Sequence, residues 1–158
     1  MNASNNQTGS KGIDPRGPRF GAGITAVLML AVIYLSLAPE TMAIAMGIMI
    51  FAVTMFTFGT LLGPAKHPYS YIFKFLVRPS LKPPTAMENQ APVHFAQFVG
   101  LLVTGTGLVL HLVAVPLALP VAAAAAFVAA FLNAAFAYCL GCQMYLGLKR
   151  IGLIPSKG

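Results

Sequence analysis

Residues 41–63 read TMAIAMGIMIFAVTMFTFGTLLG, 23 positions without a charge. As a helix rising 1.5 Å per residue, this stretch exceeds the roughly 30 Å hydrocarbon core of a bilayer. Working outward, residues 20–38 give 19 uncharged positions, residues 95–115 give 21, and a fourth apolar run extends from about Pro120 to Leu148. The whole chain of 158 residues is 58% hydrophobic and 8% charged, with mean hydropathy +0.79. A soluble domain carries about a quarter charged residues, so an ordinary soluble enzyme and a disordered chain are both excluded. The reading is an all-α integral membrane protein: four transmembrane helices as two hairpins, with a short interfacial helix in the central cytoplasmic loop.

The charges set the sidedness. Lys11, Arg16 and Arg19 precede the first span; Lys66, Lys74, Arg78 and Lys82 lie between the second and third; Lys149, Arg150 and Lys157 follow the fourth. The two short turns, Pro39-Glu40 and Val115 to Pro120, hold no cation. The positive-inside rule therefore places residues 1–19, 64–94 and 149–158 in the cytoplasm and the chain in the inner membrane, both termini inside. The first and last of these segments read as tails, the first flexible because it is polar and rich in Gly, Asn and Pro. Ser36-Leu37-Ala38 resembles a leader cleavage site, but the apolar block before it is span-length and Pro39 follows, so the first helix is read as uncleaved. The net charge of +7 without a basic run of interleaved aromatics suits anionic lipid headgroups, not nucleic acid.

Small residues prepare the helices for close contact. Ala96, Gly100 and Thr104 recur every fourth residue, Gly59 and Gly63 share a face, and residues 122–126 are all alanine. Small-residue faces of this kind also suit a larger membrane complex or a homo-oligomer. In the segment His67 to Arg78, Ser70, Lys74 and Arg78 recur every fourth residue among aromatic and aliphatic neighbours, the pattern of a helix lying in the inner interface. Pro79, Pro83 and Pro84 then impose extended chain. The openings of the two hairpins, Pro18-Arg19-Phe20-Gly21 and Pro92-Val93-His94-Phe95-Ala96, form a weak parallel repeat.

Cys139-Leu140-Gly141-Cys142 is the place where reactive side chains are paired by spacing. Positions three apart share a helical face, and a fourth span entering near Val121 puts the pair at the inner membrane boundary. Three readings stay open: thiol–disulfide or persulfide exchange, a metal site, and inert packing of two small residues. Against exchange, an unbroken fourth helix places the pair toward its C-terminal end, where the helix dipole does not favour a thiolate. Cations would then have to do so: Lys149 and Arg150 in sequence, or Arg16, Arg19 and Arg78 in space. Gly141 would give the distortion that a disulfide between helical neighbours requires. A metal reading would recruit His67 and His94, but this is half a zinc site at no recognised spacing, and no metal is assigned.

The remaining polar residues carry less. Asn133, six positions before Cys139, faces another side of a continuous helix and is read as an interhelical hydrogen-bonding group. His111 is expected at the outer boundary, and His94 reaches the thiols only if its helix packs beside the fourth. Asp14 and Glu88 are read as partners of cations. No phosphate loop, Ser-His-acid order or carboxylate pair is present, and no cofactor is called for.

Asp14-Pro15-Arg16, Pro18-Arg19-Phe20, Val77-Arg78-Pro79, Pro83-Pro84, Glu88, His94-Phe95-Ala96-Gln97, Gly100 and Cys139-Leu140-Gly141-Cys142-Gln143-Met144-Tyr145 resemble domain-of-unknown-function family 4395. The likeness runs from about Asp14 to Arg150. His94 stands where relatives often carry Arg, and Gln143 where an acid is common. The resemblance implies a small bacterial membrane protein that keeps company with thioredoxin-like or rhodanese-like proteins. It adds Tyr145 and His94 to Arg16, Arg19 and Arg78 as residues supporting Cys139 and Cys142. The leading expectation is thiol/disulfide or sulfur-transfer chemistry at the cytoplasmic face, with a soluble thioredoxin-like or rhodanese-like partner on the basic central loop. A non-catalytic scaffold or subunit is the first alternative, and a small transporter, for which the spans lack a charged path, is the second.

Overall fold

The computed structural model describes residues 12–155. Six α-helices account for most of the chain: α1 (Arg16–Leu35), α2 (Met42–Leu62), α3 (Pro68–Ile72), α4 (Gln90–Leu112), α5 (Ala118–Phe136) and α6 (Leu140–Arg150). Among the described residues there is no strand beyond an isolated antiparallel bridge between Ile13 and Glu88. Four helical segments, Arg16–Leu35, Pro39–Leu62, Gln90–Leu112 and Ala118–Phe136, are long and apolar enough to cross a membrane. Their outward positions carry Val27, Tyr34, Phe51, Leu61, Leu102 and Val109, large apolar side chains that water would not accommodate but acyl chains do.

The helices pack α1 along α5, α2 along α4 and α4 along α5, with α1 also touching α2. One half of this bundle is solid. Met29 and Val32 from α1, Ala45, Met49 and Ala52 from α2, and Leu119, Ala122, Ala123 and Ala126 from α5 form one buried cluster. Alanine serves here because association in lipid comes from close backbone approach, not from escaping water. Gly107 of α4 lies so near Ala122 that any side chain there would collide with its methyl group.

At the opposite end an aromatic wedge enters. His67 starts α3, its Nδ1 accepting from Tyr69 N at 3.1 Å while Nε2 donates to the Met55 carbonyl at 3.0 Å. Tyr69 and Phe73 are buried, lying against Gly21 and Gly17 of α1. The expected helix of the central segment is short: after α3 the chain widens to a π turn (Phe73–Val77) and tightens to a 3₁₀ turn (Arg78–Ser80). Phe75 and Leu76 project outward.

Two expectations are corrected by the helix boundaries. Residues 12–19 are not a flexible tail. Ile13 exchanges two backbone hydrogen bonds of 2.9 Å with Glu88, and α1 already begins at Arg16; the rest of that expected tail, residues 1–11, lies outside the described residues. The fourth helix is not continuous from 120 to 148. It stops at Phe136, where Ala137 adopts a left-handed conformation (φ 55°, ψ 26°). The Ala137 and Tyr138 amides close onto the Asn133 and Leu132 carbonyls, both at 3.1 Å, in a Schellman-like turn. Three residues later α6 starts in a new direction, across α4.

Candidate functional site

The break in the fourth helix rebuilds the cysteine motif. Cys139 is extended (φ −87°, ψ 102°) and caps α6, its Sγ accepting from Cys142 N at 3.2 Å. Cys139 and Cys142 are joined as a disulfide across this first turn, with Cα atoms 5.2 Å apart. The expectation that the pair sits near a helix C-terminus is therefore overturned: it opens an 11-residue helix, where unsatisfied amides and the positive dipole end favour a thiolate. Lys149 and Arg150 lie at the far end of α6, about 15 Å away by helical rise, and complement the negative end of its dipole instead.

Gly141 fixes where this helix start rests. A Cβ at that position would fall 2.6 Å from both Cα and Cβ of Ala96, so α6 meets the first turns of α4 backbone against backbone. His94 nevertheless turns away, its Nε2 bonding the Thr60 carbonyl, and is exposed. Tyr145 packs on Phe95 with ring centroids 5.7 Å apart.

The disulfide faces a cavity of about 680 Å³ between the helices. Arg16 and Arg19 line it together with Cys139 and Cys142; Arg78, His94 and Tyr145 do not. Asn133 lines it too, against the expectation that it faces elsewhere, because the helical phase linking it to Cys139 is lost at Ala137. Glu88, expected only as a partner of a cation, and Gln97, given no role by the sequence, are wall residues as well; an amide inside an apolar span was the available signal for Gln97. Deeper in, the wall is apolar, with Met55 and Phe56 beside the smaller Ala52, Val103, Ala125 and Ala129.

The charged residues divide into one satisfied pair and one unusual arginine. Asp14 receives the Arg16 guanidinium at 2.9 and 2.8 Å and its backbone amide at 3.0 Å, and Arg16 also donates to the Lys82 carbonyl at 3.0 Å. These hydrogen bonds hold the Asp14 carboxyl below its ordinary value despite the opposing effect of burial. Glu88 makes no ion pair among the described residues, so the expected cation partner is found for Asp14 alone. Arg19 donates from one terminal nitrogen to the Ala134 carbonyl at 3.2 Å, while its Nε is buried without a partner. Burial pushes the His67 imidazole below its ordinary value and the Tyr69 phenol up to about 12.

The metal alternative is not assembled. Among the described residues no group of three or more His, Cys, Asp or Glu is placed to hold an ion. His67 spends both ring nitrogens on the backbone, and the two sulfurs are bonded to each other.

A family model, Domain of unknown function (DUF4395), matches residues 13–150. The chain belongs to this family. No curated protein matches it, and no solved structure does. The DUF4395 match ends at Arg150, the last residue of α6, so the family unit takes in the four apolar helices, the Ile13–Glu88 clasp and the cysteine-capped helix.

Proposed function

We propose that this chain performs thiol–disulfide exchange at the cytoplasmic face of the inner membrane through Cys139 and Cys142. The observation that carries the reading is the disulfide at the start of α6, opening on a cavity. A thiolate of a soluble dithiol protein attacks one sulfur of the pair; the Cys139–Cys142 bond breaks and a mixed disulfide forms. The partner's second thiolate then attacks the mixed disulfide, leaving the partner oxidised and Cys139 and Cys142 reduced, two electrons and two protons having moved. Cys139 is the exchanging thiolate of the reduced pair, since its sulfur accepts the Cys142 amide and lies at the positive helix end.

The orientation proposed is both termini inside, with α1–α2 and α4–α5 as two hairpins and Pro68–Ser80 in the inner interface. The cations of residues 16–19, 66–82 and 149–150 support it. The same basic segment, with exposed Tyr71, Lys74, Phe75 and Leu76, would receive anionic headgroups and a thioredoxin-like or rhodanese-like partner.

The test is thiol labelling in native membranes before and after mild reduction. Both cysteines should become reactive to a small alkylating reagent only after reduction, and Cys142→Ser should trap a mixed disulfide on Cys139. Cysteines that stay unreactive in reduced membranes would leave the scaffold alternative standing, as would unchanged growth of a Cys139→Ala/Cys142→Ala strain under thiol stress. A fusion reporter that finds the C-terminus in the periplasm would overturn the orientation.

A further inference from the structure

We infer that the cavity is a binding site for a membrane quinone, which takes the two electrons of the reduced Cys139–Cys142 pair. This rests on the exchange reading above and names the co-substrate of the same site.

The cavity has the polarity of an amphiphile. At its mouth stand the disulfide, Arg19, Glu88 and Asn133; behind them Val99, Val103, Ala125 and Ala129 continue into the bundle. About 680 Å³ lies in the roughly 300–1,000 Å³ range of small-molecule sites. The solid cluster of Met29, Met49 and Leu119 lies toward the other end of the bundle, so the hollow half opens where the sulfurs lie.

Two observations select the head group. Two wall residues hold a buried polar atom without a partner: Arg19, whose Nε is a donor, and Gln97, whose Oε1 is an acceptor, so a head group with a carbonyl that becomes a hydroxyl on reduction suits both. The Nε itself is closed off from the cavity as it stands, but the Arg19 side chain lines the wall, and a turn of its guanidinium would offer that donor to an acceptor oxygen there. That oxygen need not be charged: Arg16 is already matched by Asp14, and Glu88 shares the mouth with Arg19, so the described wall offers an anion little net attraction. A phosphate or carboxylate head is thus disfavoured against a neutral carbonyl. The disulfide on the same wall then selects, among neutral amphiphiles, one that accepts two electrons. The step balances without another reagent: the two S–H bonds break, the S–S bond forms, and two electrons and two protons pass to the quinone oxygens, giving hydroquinone.

The experiment uses the full chain in nanodiscs, reduced with dithiothreitol, desalted without oxygen and mixed with ubiquinone-1 or menaquinone-1. One hydroquinone should form per disulfide regained, read by absorbance and by loss of maleimide labelling. Arg19→Gln should raise the quinone concentration for half-maximal rate at least fivefold. Ala129→Leu, which fills the apolar wall, should slow the reaction at least tenfold while the chain elutes as a folded particle. A pair that dithiothreitol reduces but neither quinone reoxidises overturns this inference and leaves the exchange reading intact. Quinone reduction indifferent to Ala129→Leu overturns it as well, placing the reaction in bulk lipid, and so does purified protein that carries a stoichiometric fatty acid or phospholipid in the cavity. A pair that dithiothreitol cannot reduce sinks the exchange reading and this inference together.

Discussion

Ala137→Gly tests the feature from which the site follows, the interruption of the fourth helix. Alanine at φ 55° sits in the left-handed region, where a side chain costs about 1–2 kcal/mol. Glycine removes that cost but loses more conformational entropy on folding, about 0.5–1 kcal/mol relative to alanine. The difference spans about 0 to 1.5 kcal/mol, a net stabilisation centred on about 0.75 kcal/mol. In an unbroken helix through residues 120–148 the same substitution would instead destabilise by about 1 kcal/mol, the ordinary penalty for glycine in a helix interior. The sign separates the two structures. Equilibrium unfolding in mixed micelles, followed by circular dichroism, should move the midpoint of Ala137→Gly to higher denaturant with an unchanged slope. A midpoint that moves down by the helical penalty would refute the break, and with it the placement of Cys139 at a helix N-terminus.

Gly141→Leu should destabilise by about 1–3 kcal/mol, because the contact it would violate is Ala96 backbone and cannot rotate aside; the same unfolding assay reads it. With one cysteine left, Cys142→Ser should react with iodoacetamide several-fold faster at neutral pH than Cys139→Ser, since the Cys139 sulfur sits nearest the open amides of α6. His67 gives a pH dependence of known sign. Its folded-state value is depressed below the ordinary 6.5 by burial, so its contribution is fully present above that value and is lost as pH falls below it. Unfolding midpoints should therefore drop between about pH 7 and 5, and His67→Asn, whose side chain still caps Tyr69 N, should flatten that part of the profile.

The four apolar helices were legible because hydrocarbon thickness imposes a length and the lack of water imposes a composition, both of which survive in a string of letters. Residues 41–63 need no tertiary knowledge to be read. The break after Phe136 was not legible for the converse reason. No proline or glycine stands at 137 or 138 to announce it, and alanine favours the helix it here ends. The chain turns because Gly141 can lie against Ala96, a contact between residues 45 apart in sequence. Once the turn is missed, an inference from helical phase across it fails, and this is why Asn133 is set apart from Cys139 in a continuous helix. The sequence offers Arg19 as a cation for the sulfurs, and it shares the cavity wall with them. Its unpartnered Nε had no sequence signal, because hydrogen-bond satisfaction depends on neighbours supplied by α5.

The hollow end and the solid end of the bundle follow from what separates the helices at each. Toward the short turns nothing intervenes, so alanines on α2 and α5 close the gap and Met29 and Met49 fill the remainder. At the other end two inserts hold the helices apart: Tyr69 and Phe73 under α1, seated against Gly21 and Gly17, and the start of α6 against Ala96 of α4. Ala125 and Ala129 have too little volume to fill the space so created, and the cavity is what remains. The sulfur pair belongs to one of these inserts, not to a membrane helix. A reagent that opens the disulfide thus acts on a pair that lines the cavity and closes the first turn of the helix that spaces it.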